Sequence, residues 1–106
     1  SRFLRGFDFV RMKPDPDVVT GGVPTGGACQ ALVEPGRAMA IYLRRSGTST
    51  DPVELKIRLD EGSWRAEWVE TKTGKMANRT SIEGGGIRAV TSPPFDSDIA
   101  LRLRRR

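Results

Sequence analysis

Period-two alternation runs through most of this sequence, and it limits the possible folds more than any other feature. In VELKIRLD, Val53, Leu55, Ile57 and Leu59 fall on one side of an extended backbone, and Glu54, Lys56, Arg58 and Asp60 fall on the other. SWRAEWV continues the pattern with Trp64, Ala66 and Trp68 against Arg65 and Glu67. DIALRLR repeats it, with Ile99, Leu101 and Leu103 opposed to Arg102 and Arg104. Successive side chains of a strand point to opposite faces, so this spacing predicts strands that are apolar inside and charged outside. ACQALVE and AMAIYLR are more apolar, as suits strands covered on both faces, and GIRAVTS is a further short strand. Turn chemistry separates them: EPG at 34–36, SGTSTDP at 46–52, DEGS at 60–63, KTGK at 72–75, GGG at 84–86 and SPPFD at 92–96. Six to eight short strands with turns about every 8 to 12 residues predict an all-β fold, an antiparallel β-sandwich.

The two tryptophans pose a specific question, whether they form a sugar platform or the inside of a sheet. A hairpin centred on Glu61 and Gly62 pairs Leu59 with Trp64, Ile57 with Ala66 and Leu55 with Trp68, all on one face. The opposite face then carries a favourable Lys56–Glu67 pair and an unfavourable Arg58–Arg65 pair. A slip of one residue would set both indoles among charges, so Trp64 and Trp68 are predicted core residues.

The first 27 residues differ from the rest. Phe3, Phe7 and Val10 have helical spacing, which predicts a short helical turn up to about Phe9. KPDPD then ends it, because each proline disfavours helical geometry in the residue before it. TGGVPTGG reads as a flexible connection. Residues 1–27 are therefore expected to form a leader and a Pro/Gly-rich strap, and residues 28–106 the sandwich. The chain opens on Ser1 rather than Met and reads as a piece of something longer.

Composition excludes several chemistries. With no histidine, the commonest general base and the commonest metal ligand are both missing. The one cysteine, Cys29, rules out an internal disulfide and reads as a small buried hydrophobe. The acids Glu34, Asp51, Asp60, Glu61, Glu67, Glu70, Glu83, Asp96 and Asp98 fall mainly in turns or on solvent faces, with no paired-carboxylate pattern. No cofactor, metal or intrinsic catalysis is expected. No apolar run approaches the roughly 20 residues of a membrane helix, so no membrane partner is expected. The net charge of +5 is concentrated in the terminal RLRRR, which reads as a basic tail beside a solvated face rather than a specific nucleic-acid site. The glycine clusters lack the lysine and strand–helix context of a phosphate loop and read as turns needing positive φ. NRT at 78–80 is a formal glycosylation triplet and nothing more specific.

Read in order, FLRGFDFVRMKPD, GGACQALVEPGRAMAIYL, VELKIRL, WRAEWVETKTGK and SPPFDSDIALRLRR resemble the β-sandwich domain that follows the (β/α)8 barrel in a group of bacterial glycoside-hydrolase-like proteins. Family descriptions call that module a collagen-binding domain of a collagenase. The most specific segments are ALVEPGRAMAIYL, AEWVETKTGK and PPFDSDIAL. In the family the middle segment commonly reads Trp, an aromatic, Asp, Pro, a basic residue, Thr and Gly. Trp68, Thr73 and Gly74 match, while Val69, Glu70 and Thr71 stand where the family has the aromatic, Asp and Pro.

The resemblance implies an immunoglobulin-like or glycosidase-C-terminal-domain-like sandwich, not an enzyme in itself, in an extracellular or periplasmic setting. It implies an upstream catalytic barrel as partner, with Phe3, Leu4, Phe7 and Phe9 as the domain interface. The alternative is an independent module that binds carbohydrate (a polysaccharide) or collagen. For that role Tyr42 and Arg44 are the candidates. They lie on the strand face opposite Met39, Ile41 and Leu43, and a ring beside a guanidinium suits sugar or peptide contact.

Overall fold

The structure, a computed structural model, describes residues 13–23, 27–45, 50–71 and 73–106. They form nine strands: β1 (Lys13–Pro14), β2 (Val19–Gly21), β3 (Ala28–Glu34), β4 (Ala38–Arg44), β5 (Glu54–Leu59), β6 (Ser63–Val69), β7 (Met76–Glu83), β8 (Gly86–Thr91) and β9 (Asp98–Arg105). A 3-10 turn, Pro16–Val18, joins β1 to β2, and there is no α-helix among the described residues. One sheet has the order β1-β3-β4-β9-β6-β7 and the other β2-β5-β8, with antiparallel pairing throughout. The fold is the antiparallel β-sandwich that alternation predicts, with nine strands in place of six to eight. β1 and β2 arise from the strap, ahead of residue 28, and add an edge strand to each sheet. The helical turn expected up to Phe9 lies outside the described residues, as do Phe3, Leu4, Phe7 and Phe9.

The alternating faces meet between the sheets. Met39, Ile41 and Leu43 from β4, Leu55, Ile57 and Leu59 from β5, and Ile99, Leu101 and Leu103 from β9 are buried around Trp64 and Trp68. The two indoles are 0% and 1% exposed, so the core prediction holds. The hairpin that motivated it does not. β5 and β6 belong to different sheets: β5 pairs with β2 and β8, and β6 with β7 and β9. Neither the Lys56–Glu67 nor the Arg58–Arg65 pair exists. Glu67 instead bonds Arg102 on β9, and Arg58 lies opposite Ile87 on β8. The physical reason is that two successive amphipathic strands can bury their apolar sides by stacking across the core as well as by pairing side by side. Stacking here also avoids the like-charge pair.

The turn at 60–62 is therefore an arch between layers. Its partner is the β7–β8 crossover. Gly84 N donates to Gly62 O at 2.7 Å and Gly85 N to Leu59 O at 3.0 Å, so the two arches are bonded backbone to backbone. Trp64 Nε1 donates to Asp60 O at 2.9 Å and fixes the indole beneath them. A Cβ at Gly84 would sit 1.9 Å from Asp60 O, a contact that only glycine permits. Gly85 has φ 103° and open space beyond it, so it serves the turn by conformation alone.

β9 occupies an inner position between β4 and β6. Arg102 and Arg104 thus lie on a strand, as the DIALRLR alternation predicts, and the strand runs on through Arg105 where a basic tail was expected. It is paired on both sides, which fixes Arg102 and Arg104 on the outer face of the six-stranded sheet. Beside them, Ala38, Ala40, Val69 and Ala100 form a second, small buried cluster with Leu32 packed against it. This agrees with the doubly apolar reading of AMAIYLR.

Candidate functional site

Residues from segments 31–43, 66–75 and 93–101 converge on one carboxylate, that of Asp98. Tyr42, from the β3–β4 hairpin, donates its hydroxyl to Asp98 Oδ2 at 2.5 Å. Thr71, in the loop after β6, donates its hydroxyl to Asp98 Oδ1. Asp98 opens β9, directly opposite Arg44 on β4. Bonding to the carboxylate, with burial adding to it, holds the Tyr42 hydroxyl above the ordinary tyrosine pKa of 10.0, while the nearby Arg44 charge opposes the rise.

The loops supply the rest. In the β3–β4 hairpin, Arg37 N donates to Glu34 O at 3.0 Å around Pro35 and Gly36, with Gly36 at φ 73°. Proline then glycine with positive φ is the type II arrangement. In the β6–β7 loop, Gly74 N donates to Glu70 O at 2.8 Å with φ 75°, and Thr73 Oγ1 donates to Glu70 Oε2 at 3.2 Å. Thr73 and Gly74 therefore shape the turn. Before β9, Phe95 is covered by Arg45, whose guanidinium carbon lies 3.8 Å from the ring centroid. Arg45 N also donates to Ser97 O at 2.9 Å.

Between the last two loops lies a cleft of about 180 Å³, lined in part by Glu70, Thr71, Thr73, Phe95, Asp96 and Asp98. It is smaller than the roughly 300 to 1,000 Å³ of ordinary small-molecule pockets. Its Thr71 and Asp98 side chains are hydrogen-bonded within the fold. Among the described residues no group of three or more histidine, cysteine or carboxylate side chains is placed to hold a metal ion. Nor is any helix among them long and apolar enough to cross a membrane.

Of the sequence candidates, Tyr42 is half-buried and Arg44 exposed, two residues apart on the outer face of the six-stranded sheet. Tyr42 faces Gln30 on β3 and Ala100 on β9. Cys29 is half-buried against the core, and burial pushes its thiol pKa up. Sequence reasoning gave no role to Thr71 or Asp98. The one available signal was their position within two of the three most specific segments, AEWVETKTGK and PPFDSDIAL.

The fold and these loops define an all-β sandwich domain. No protein-family model matches this chain. No curated protein sequence matches it either.

Proposed function

We propose that this chain is a non-catalytic accessory sandwich that packs against and stabilises a glycoside-hydrolase-like barrel. The observation that carries the reading is the Tyr42–Asp98–Thr71 arrangement. Tyr42, Thr71 and Asp98, one from each of the three segments most like the resembling module, tie the β3–β4 hairpin, the β6–β7 loop and the start of β9 together, although Thr71 itself stands where that module has Pro. A barrel domain gains most from a rigid neighbour, and shared carboxylate bonding across three segments supplies rigidity at one end of the sandwich. Placed behind a barrel of that class, residues 1–106 should raise its melting temperature and soluble yield. Equal melting and yield with and without them would reject the proposal.

The second reading, an independent carbohydrate- or collagen-binding module, is favoured by the outward position of Arg44 beside the half-buried Tyr42 ring. It requires retention of the isolated chain on a polysaccharide or collagen matrix, abolished in Tyr42→Ala.

A further inference from the structure

The outer face of the six-stranded sheet carries an ordered array of guanidinium groups where β9, β6 and β7 lie side by side. In one row Arg65 stands between Arg104 on β9 and Ser81 on β7. In the next, Glu67 stands between Arg102 and Arg79. Adjacent strands are about 4.8 Å apart and alternate residues about 7 Å apart along a strand, so the lattice sets where these side chains begin. Two clefts open on this face, of about 590 Å³ and 420 Å³, and both are lined by Arg65 and Arg106. Together they form a trough that, among the described residues, carries five outward arginines (65, 79, 102, 104 and 106) and one carboxylate, Glu67; Arg105 also borders it, but its guanidinium turns to the other face, where Nη1 donates to Gly36 O at 3.4 Å. The Glu67 carboxylate is already engaged: Arg102 Nε and Nη2 both reach Glu67 Oε1 at 3.1 Å. Five arginines less one glutamate leave a local excess of four, most of the chain's net charge of +5.

Arg65 and Arg104 are directly opposite each other on paired strands. Arg65 and Arg79 meet no carboxylate among the described residues. The face around them is open, and Thr80 and Ser81 offer hydroxyls along its edge.

We propose that this trough is a binding site for an acidic polysaccharide bearing one carboxylate per ring, a polyuronate. Guanidinium forks engage carboxylates in pairs of parallel bonds, and the two hydroxyls suit a ligand rich in hydroxyl groups. The trough spans three strands, about 10 Å, the width of a single sugar chain and narrower than a nucleic-acid duplex. Among the described residues no aromatic ring lines it, so they provide no stacking platform of the kind a single-strand nucleic-acid site uses. This site does not include Tyr42 or Arg44 and does not depend on any barrel.

The test is affinity electrophoresis of the full chain in gels containing polygalacturonate, with dextran as the neutral control and duplex DNA as competitor at matched charge concentration. At about 0.15 M salt polygalacturonate retards the protein and dextran does not. Arg65→Glu with Arg79→Glu weakens binding at least about tenfold, and the charge-matched pair Lys56→Glu with Arg58→Glu, on the other sheet, leaves it within about twofold. Arg65→Gln with Arg79→Gln weakens it in the same direction by a smaller factor, and a shared melting temperature establishes that each variant is folded. Absence of retardation, equal loss in the two Glu pairs, or displacement by DNA at lower charge concentration than polygalacturonate would each overturn the proposal.

Discussion

Asp98 accepts hydroxyls from two different segments, Tyr42 on β4 and Thr71 after β6. Replacing it with alanine leaves both without their acceptor and should cost about 1 to 3 kcal/mol in denaturant unfolding. The same bond makes a pH prediction. Tyr42 binds its proton more firmly folded than unfolded, so its contribution to stability is complete below the unfolded tyrosine pKa and is lost as pH rises through the higher folded value. Because Tyr42 is the sole tyrosine, the near-ultraviolet absorbance of tyrosinate reports it alone. Ionisation should begin above the ordinary range and move back down in Asp98→Asn; an unchanged titration in that variant would contradict the assignment. The tryptophans offer a second comparison. Trp64 Nε1 has Asp60 O as its acceptor, whereas Trp68 Nε1 is buried with no partner among the described residues. Trp64→Phe should therefore cost about 1 kcal/mol more than Trp68→Phe, since only the former breaks a hydrogen bond. Equal losses would show that the Asp60 bond contributes nothing.

At the scale of elements, the paired arches make the sharpest prediction. Gly84→Ala forces a side chain onto Asp60 O and should cost more than about 2 kcal/mol. Gly85→Ala meets open space and pays only for its positive φ, about 1 kcal/mol. Melting curves that rank them the other way would contradict the backbone contact between Gly84 and the first arch. The same region explains what was legible in the sequence. Alternation located β5, β6 and β9 and assigned their inward faces, because burial acts residue by residue; β8 was legible as a short strand without an assigned face. It could not say whether β5 and β6 pair or stack, since both arrangements bury the same side chains; the awkward Arg58–Arg65 opposition was the only hint. β7 escaped notice because it is an edge strand whose residues are exposed apart from half-buried Ile82, so no apolar face imposed a period. β1 and β2 are too short to carry one.

On the scale of the whole molecule, charge and core divide the sandwich into distinct surfaces. Sequence composition located the positive excess in RLRRR, but topology made its strand an inner one and aligned its arginines with Arg65 and Arg79. Charge along a sequence carries no record of which strands will be neighbours, so that array was unreadable beforehand. The Tyr42–Asp98–Thr71 connection was hidden for the same reason, its members lying far apart in the chain. The core was readable, and the account rests on it: both indoles are closed between the layers, and no tryptophan remains to serve as a ligand platform. The most direct check is acrylamide quenching of tryptophan fluorescence in the folded chain. The account predicts blue-shifted emission and weak quenching until denaturant unfolds the protein. Red-shifted emission with quenching near that of the unfolded chain would contradict it.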